Sequence, residues 1–164
     1  TPDTVGEIVA RGPMVMRGYW GLGDKNDEHF IAGGWFKTGD AGKIDSEGYV
    51  TIVGRWKDMY ISGGENVYPA EVEAVLYEVP GVAEVAVIGV PDEQFGERVH
   101  AVIVIQPGAV VDLETIMEFC RGRLAGYKLP RSMEVVDELP RNPTGKILKR
   151  QLRSPHWEGH VAQV

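Results

Sequence analysis

A chain of 164 residues can make one ordinary domain, or one small domain together with part of another. With 43% hydrophobic and 25% charged residues it can bury a packed core, which excludes wholesale disorder. Its net charge is −7 and no basic run is long enough to follow a phosphate backbone, which argues against nucleic acid as the main partner; no apolar run approaches the roughly 20 residues of a membrane helix.

From Thr1 to about Trp20 the chain reads as extended, with β-prone pieces at 6–12 and 15–20 broken by Gly12-Pro13. No charged-then-apolar targeting pattern opens it. Residues 21–34 are polar and glycine-rich, with a helical turn expected at 27–30. Trp35 to Thr38, Gly42 to Asp45 and Tyr49 to Gly54 read as strands, the last two joined by the turn Asp45-Ser46-Glu47-Gly48. The pattern then changes to alternating elements. Val72, Val75, Leu76 and Val79 make one face of a helix expected over 69–79, which Pro69 can open and Pro80-Gly81 stops. Val82 to Val90 alternates as a strand, and Val99 to Ile105 is apolar enough to be a central strand covered on both faces. Asp112 is a plausible N-cap for a helix running to Leu124. A short strand is expected at 133–136, a short basic helix at 145–152, and a loose tail from Ser154. This half reads as a small α+β domain, a sheet with helices packed on it.

The single cysteine, Cys120, cannot close a disulfide within the chain, which suits a reducing cytosol; its expected role is packing. His29, His100, His156 and His160 are scattered, and no His/Cys set has metal-ligand spacing, so no metal site of the chain's own is expected.

The most informative stretch runs from Gly54 to Glu73. A β-like run is interrupted by the adjacent charges Lys57-Asp58; Gly63-Gly64 then permits backbone angles that a side chain forbids, and Pro69 begins a helix. Strand, charged joint, glycine turn and helix in succession are the anatomy of a movable boundary. Upstream stands Trp35-Phe36-Lys37-Thr38-Gly39-Asp40, and downstream Asn142-Pro143-Thr144-Gly145-Lys146.

These three motifs, in this order and spacing, resemble the signatures of the adenylate-forming enzymes: acyl-CoA synthetases, luciferases and the adenylation domains of peptide synthetases. The wording from Ile61 to Glu71 looks most like the fatty-acid and aryl-acid CoA ligases. The resemblance covers nearly the whole chain to about Arg153. It implies that residues 1–56 are the β-rich end of a large N-terminal domain, that 57–153 are the family's C-terminal α+β lid, an antiparallel-type sheet with flanking helices, and that 154–164 are tail. It further implies that the family's phosphate loop, acyl pocket and magnesium ligands would precede Thr1, so the chain alone is expected to catalyse neither step of the reaction.

Read from the residues alone, Asp40 after Gly39 is either a carboxylate at a strand end, able to accept from two vicinal hydroxyls, or a turn aspartate bonding its own backbone. The resemblance implies the first, with Asp40 on the ribose of ATP, Arg55 beside it as a fork of donors and Ile52 against adenine; an ion pair for Arg55 and a core position for Ile52 are the plain alternatives. Lys57 matches the family's hinge, where a solvated side chain must tolerate a large change of φ and ψ. Gly63, Gly64 and Glu65 are implied to line the passage for the pantetheine arm of CoA. Lys146 matches the family's lysine that stabilises charge building on the α-phosphate and on departing pyrophosphate. Phe95, Tyr127 and Arg131 align with positions that meet the CoA nucleotide in some ligases, by stacking and by phosphate contact, or else simply pack. Leu129 departs from the basic residue found there in some relatives.

The implied activity is that of an AMP-forming acyl-CoA synthetase in the cytoplasm, using ATP with magnesium, CoA and a fatty acid. Its protein partners would be its own N-terminal domain and, as an open alternative, a second copy. The other readings are an aryl-acid ligase, an adenylating enzyme that loads a carrier protein, and a non-catalytic lid that only binds CoA or a partner.

Overall fold

The structure is a computed structural model that describes residues 4–160. The chain divides into two compact units between Lys57 and Asp58. No described helix is long and apolar enough to cross a membrane. Both sheets are built mainly of antiparallel pairs and the helices are short, so the chain is α+β.

In the first unit, β3 (Trp35–Ile44) pairs antiparallel with β1 (Gly6–Ala10), β2 (Phe30–Ile31) and β4 (Val50–Arg55). The two strand pieces expected at 35–38 and 42–45 are one strand, because Gly39 absorbs the irregularity between them with φ +74°. The turn into β4 is tied by the Asp45 carboxylate, which accepts from the amides of Glu47 and Tyr49, each at 2.9 Å. The expected second extended piece at 15–20 does not form a strand. There the Asn26 side chain, on α1 (Gly23–His29), accepts from the Tyr19 amide at 2.6 Å and donates to the Tyr19 carbonyl at 3.2 Å, taking the bonds a neighbouring strand would have used.

The second unit is a five-stranded sheet. Its centre is the long hairpin of β7 (Val82–Asp92) and β8 (Gly96–Ile105); β5 (Tyr60–Ser62), with β6 (Glu65–Val67) beyond it, meets β8 at Ser62 opposite Gly96, and β9 (Ser132–Val135) runs parallel to β8. Alternation along β7 and β8 feeds two cores, as the apolar run at 99–105 leads one to expect. Val85, Val87, Val99, Ala101 and Ile103 pack with α2 (Pro69–Leu76) and α3 (Leu113–Cys120), whereas Ala86, Ile88, Val90 and Val102 pack with Leu139, Ile147 and Leu152. Val72 and Leu76 are completely buried. Truncating Leu76 to Ala removes contacts worth about 2–5 kcal/mol.

Helix boundaries follow local chemistry. Pro69 is the first residue of α2, and the regular helix gives way after Leu76 to a turn in which the Val79 amide reaches the Leu76 carbonyl. Asp112 caps α3 by accepting from the Thr115 amide at 2.8 Å. The helix stops at Cys120 rather than Leu124, since Arg121 is extended and Gly122 has φ +77°. The basic helix is shorter than expected: α4 is Lys149–Arg153, because residues 142–146 are held in a turn. The tail expected to be loose is not so from its start. Ser154–Trp157 forms a helical turn, and the Trp157 indole donates to the Gly89 carbonyl at 3.1 Å.

Candidate functional site

In the first unit, Asp40 and Arg55 face each other across β3 and β4, and Arg55 Nε lies 2.9 Å from Asp40 Oδ1. The Asp40 amide donates to Thr38 Oγ1 at 3.1 Å, and that hydroxyl donates to the Ile8 carbonyl at 2.8 Å, so the backbone behind the carboxylate is anchored to β1. Side-chain exposures of 50% for Arg55 and 30% for Asp40 make this a water-accessible pair. Such pairs contribute little stability. Both groups can therefore turn to a ligand's hydroxyls at small cost.

Ile52 is 63% exposed, so within this unit it is not part of a packed core. A register shift between Ala41 and Gly42 leaves Ile52 opposite Gly42 while Arg55 stands opposite Asp40. Asp40 and Gly42 lie on one face of β3, so the bulge puts Ile52 and Arg55 on that same face although they are an odd number of residues apart. Gly42 has no room for a side chain: an added Cβ would lie 2.6 Å from Ile8 Cδ1 and 2.9 Å from the Thr51 carbonyl oxygen. Lys57 is exposed in the helical turn Trp56–Asp58.

In the second unit, Ser62-Gly63-Gly64-Glu65 is a two-residue hairpin turn with φ +61° at Gly63 and +86° at Gly64, angles that suit glycine in both places. Glu65 is exposed on β6. The Gly63 amide donates to the Phe95 carbonyl at 2.9 Å, and a Cβ on Gly63 would stand 3.2 Å from the Phe95 ring. The Arg131 guanidinium lies over that ring, 4.1 Å from its centroid. Gly63, Phe95 and Arg131 are thus gathered at one place from three parts of the sequence. Asp92 shapes the bend that carries Phe95, since its carboxylate accepts from the amides of Phe95 and Gln94. Those amides, with Arg98, hold the Asp92 carboxyl below its ordinary value. Tyr127 packs against the core and has Lys128 Nζ 5.5 Å from its ring centroid; Lys128 itself pairs with Glu71 at 2.6 Å.

Lys146 sits on a loop organised by one oxygen. Asn142 Oδ1 accepts from the Thr144 amide at 3.1 Å, the Thr144 hydroxyl at 2.8 Å and the Lys146 amide at 2.9 Å. The Asn142 amide donates to the Lys146 carbonyl at 2.9 Å, and Gly145 turns the chain with φ +85°. Arg141 braces the loop from outside, donating to the Gly145 carbonyl at 2.8 Å while paired with Glu84 at 2.9 Å. Among the described residues the exposed Lys146 ammonium has no ion-pair partner, whereas Lys149 is bound to Glu73 at 2.6 Å. The backbone is fixed and the charge is free. Sequence reasoning gave Asn142 no role of its own, although an Asn with Pro, Gly and hydroxyl neighbours is a turn-forming signal.

Burial also perturbs groups outside these motifs. His100 is pushed down to about 4 by burial, with the His156 and Arg98 charges adding to the effect. Glu97 is raised by burial although Arg153, at 3.1 Å, pulls it the other way. The histidines that look scattered in sequence are not all scattered in space: the His100 and His156 rings have centroids 4.9 Å apart.

The chain is similar to known proteins over most of its length. The model of the AMP-binding enzyme C-terminal domain family matches residues 71–146, a span that ends on Lys146. The chain is 51% identical over 152 residues to a feruloyl-CoA synthase of Amycolatopsis, covering 93% of this chain and 31% of that protein. It is 50% identical over 151 residues to the long-chain-fatty-acid–CoA ligase FadD13 of Mycobacterium tuberculosis, covering 92% of this chain and 30% of the relative. Among solved structures, ATP-bound MatB from Rhodopseudomonas palustris superposes with a TM-score of 0.88 at 44% identity, covering 98% of this chain and 32% of that one. The chain therefore spans a little under a third of the length of the proteins it matches.

Proposed function

We propose that the chain, whose residues 71–146 match the AMP-binding enzyme C-terminal domain and which is about half identical to known CoA ligases over most of its length, belongs to the adenylate-forming enzymes as the lid-bearing part of an AMP-forming acid–CoA ligase. The reaction joins a carboxylate to the α-phosphate of ATP with loss of pyrophosphate, and the CoA thiol then displaces AMP from the acyl-adenylate. The observation that carries this reading is Lys146: an exposed ammonium, without an ion-pair partner among the described residues, on a loop whose backbone is tied to Asn142.

Each half-reaction asks for a different group. In adenylation, negative charge grows on the α-phosphoryl oxygens and on the leaving pyrophosphate, and a fixed cation lowers that barrier without covalent chemistry. Lys146 supplies it. The ribose is held by Asp40 and Arg55, which exchange their mutual contact for the two hydroxyls, with Ile52 against the base. In thioester formation the thiol needs a narrow approach past bare backbone. Gly63 and Gly64 give that approach beside Glu65, and Phe95 with Arg131 offers a ring and a guanidinium to the CoA nucleotide, flanked by Tyr127. Lys57 is the pivot about which the chain after it turns between the two steps. We take the acid to be a fatty acid, as in the name of the mycobacterial relative, and the site of action to be the cytoplasm; magnesium arrives with ATP as part of the substrate. The similarity to a feruloyl-CoA synthase favours an aryl acid as the second reading.

The test is ATP–pyrophosphate exchange with a panel of fatty and aryl acids. The chain alone should be silent. The same chain substituted for the matching C-terminal third of the long-chain ligase relative should restore exchange. Robust exchange by the chain alone, or none in a folded chimera, overturns the proposal.

A further inference from the structure

We propose that His100, Glu134 and His156 form a binding site for one divalent cation of the zinc class, which staples the Ser154–Trp157 segment to the sheet. The site lies on the face of the sheet packed with Ile147 and Leu152, and it is independent of the residues assigned to ATP and CoA above.

Register brings the first two ligands together. His100 on β8 stands opposite Ser132 on β9, and Val102 stands opposite Glu134, so Glu134 shares a face with His100, one step along. The turn Ser154–Trp157 supplies the third. Its position does not depend on a cation, because Trp157 donates to the Gly89 carbonyl at 3.1 Å and Arg153 Nη2 lies 3.1 Å from Glu97 Oε2. One potential ligand atom from each of His100, Glu134 and His156 lies within 4.8 Å of the other two.

The second observation is a nitrogen without a partner. His100 is only 5% exposed, and among the described residues its Nε2 has no hydrogen-bond partner. Its Nδ1 is 2.8 Å from Ser132 Oγ, which also accepts from Arg98 Nε at 3.2 Å. With Nδ1–H donating to the remaining lone pair of that hydroxyl, Nε2 presents a bare lone pair, the tautomer and support that metal-binding histidines use. Arg98 is the opposing charge nearby, and Asp92 pairs with it at 3.5 Å.

Two imidazoles and one carboxylate select a borderline cation such as zinc, because magnesium and calcium ask for oxygen ligands throughout. Tetrahedral zinc places its ligand atoms about 3.4 Å apart. The three atoms must therefore draw in by roughly 1–1.5 Å, a movement available to the half-buried side chains of His156 and Glu134 through rotation. Water completes the coordination.

The experiment uses the whole 164-residue chain without a tag, stripped by chelator and titrated with Zn2+ against a chromophoric competitor, with melting followed in parallel. One equivalent should bind and raise Tm. Glu134→Gln and His156→Ala should each weaken binding by more than about 100-fold while leaving the metal-free Tm near that of the wild type, and Ser132→Ala should weaken it about tenfold. His160→Ala should change nothing. The proposal is overturned if no single equivalent binds, or if binding persists in both Glu134→Gln and His156→Ala.

Discussion

Replacing Asn142 by Ala should loosen the loop that carries Lys146 without unfolding the unit. The change deletes three hydrogen bonds to one oxygen, from the Thr144 amide, the Thr144 hydroxyl and the Lys146 amide. Two backbone bonds of the loop survive, Asn142 amide to Lys146 carbonyl and Gly145 amide to Asn142 carbonyl, so the turn can still close. The lost bonds are exposed and each is worth the lower end of about 0.5–1.5 kcal/mol, giving about 1.5–2 kcal/mol in all. That corresponds to roughly a 10- to 30-fold shift towards the open loop. Amide hydrogen exchange resolved at Lys146 reads this directly, and should accelerate by about that factor in Asn142→Ala. Asn142→Asp keeps the accepting oxygen and should exchange nearly as the wild type does. Adenylation by the chimera should fall at least about tenfold in Asn142→Ala, since a misplacement of about 1 Å can cost 100-fold. Unchanged protection of the Lys146 amide in a folded Asn142→Ala chain would refute the idea that this one oxygen positions the lysine.

Gly63→Ala and Gly64→Ala should each cost about 1–2 kcal/mol, measured by urea unfolding, because both positions have left-handed backbone angles. Gly63→Ala should cost more, since of the two only it brings the added methyl against the Phe95 ring, while none of the described residues lies within 4 Å of the corresponding atom at Gly64. Equal midpoints would sink that distinction. Glu97 gives a pH signature. Its pKa is raised in the folded chain from an ordinary 4.5, so the folded state holds the proton more tightly than the unfolded one. Its contribution is therefore most favourable below pH 4.5 and is lost as pH rises through the folded value. The Tm of Glu97→Gln relative to wild type should accordingly climb from pH 4 to pH 7, and a falling difference would contradict the burial argument.

What the sequence makes legible is what depends on neighbours along the chain. Pro69 at the head of α2, Asp112 capping α3 and the two-sided burial of β8 all follow from local chemistry and period-two alternation. What it hides depends on pairing across the sheet. The bulge opposite Ala41 and Gly42 decides that Ile52 shares a face with Arg55, and no residue type announces it. Asn26 bonding to Tyr19 cancels a strand that β-propensity alone expects, a case of side-chain competition for backbone partners. His100 and His156 look unrelated because 55 intervening residues separate them; only the placement of Ser154–Trp157 over the sheet joins them. At the candidate site the glycine turn and Lys146 stand out in sequence as motifs, whereas the stacking of Arg131 on Phe95 and the bracing by Asn142 are products of the fold.

The most direct measurement separates the two half-reactions in the chimera carrying Lys146→Ala. Acyl-adenylate formation should drop by about 100-fold or more, the scale of removing one fixed donor from a developing charge, while thioester formation from supplied acyl-adenylate and CoA stays near the parent rate. Equal losses in both steps, or an undiminished first step, would contradict the account.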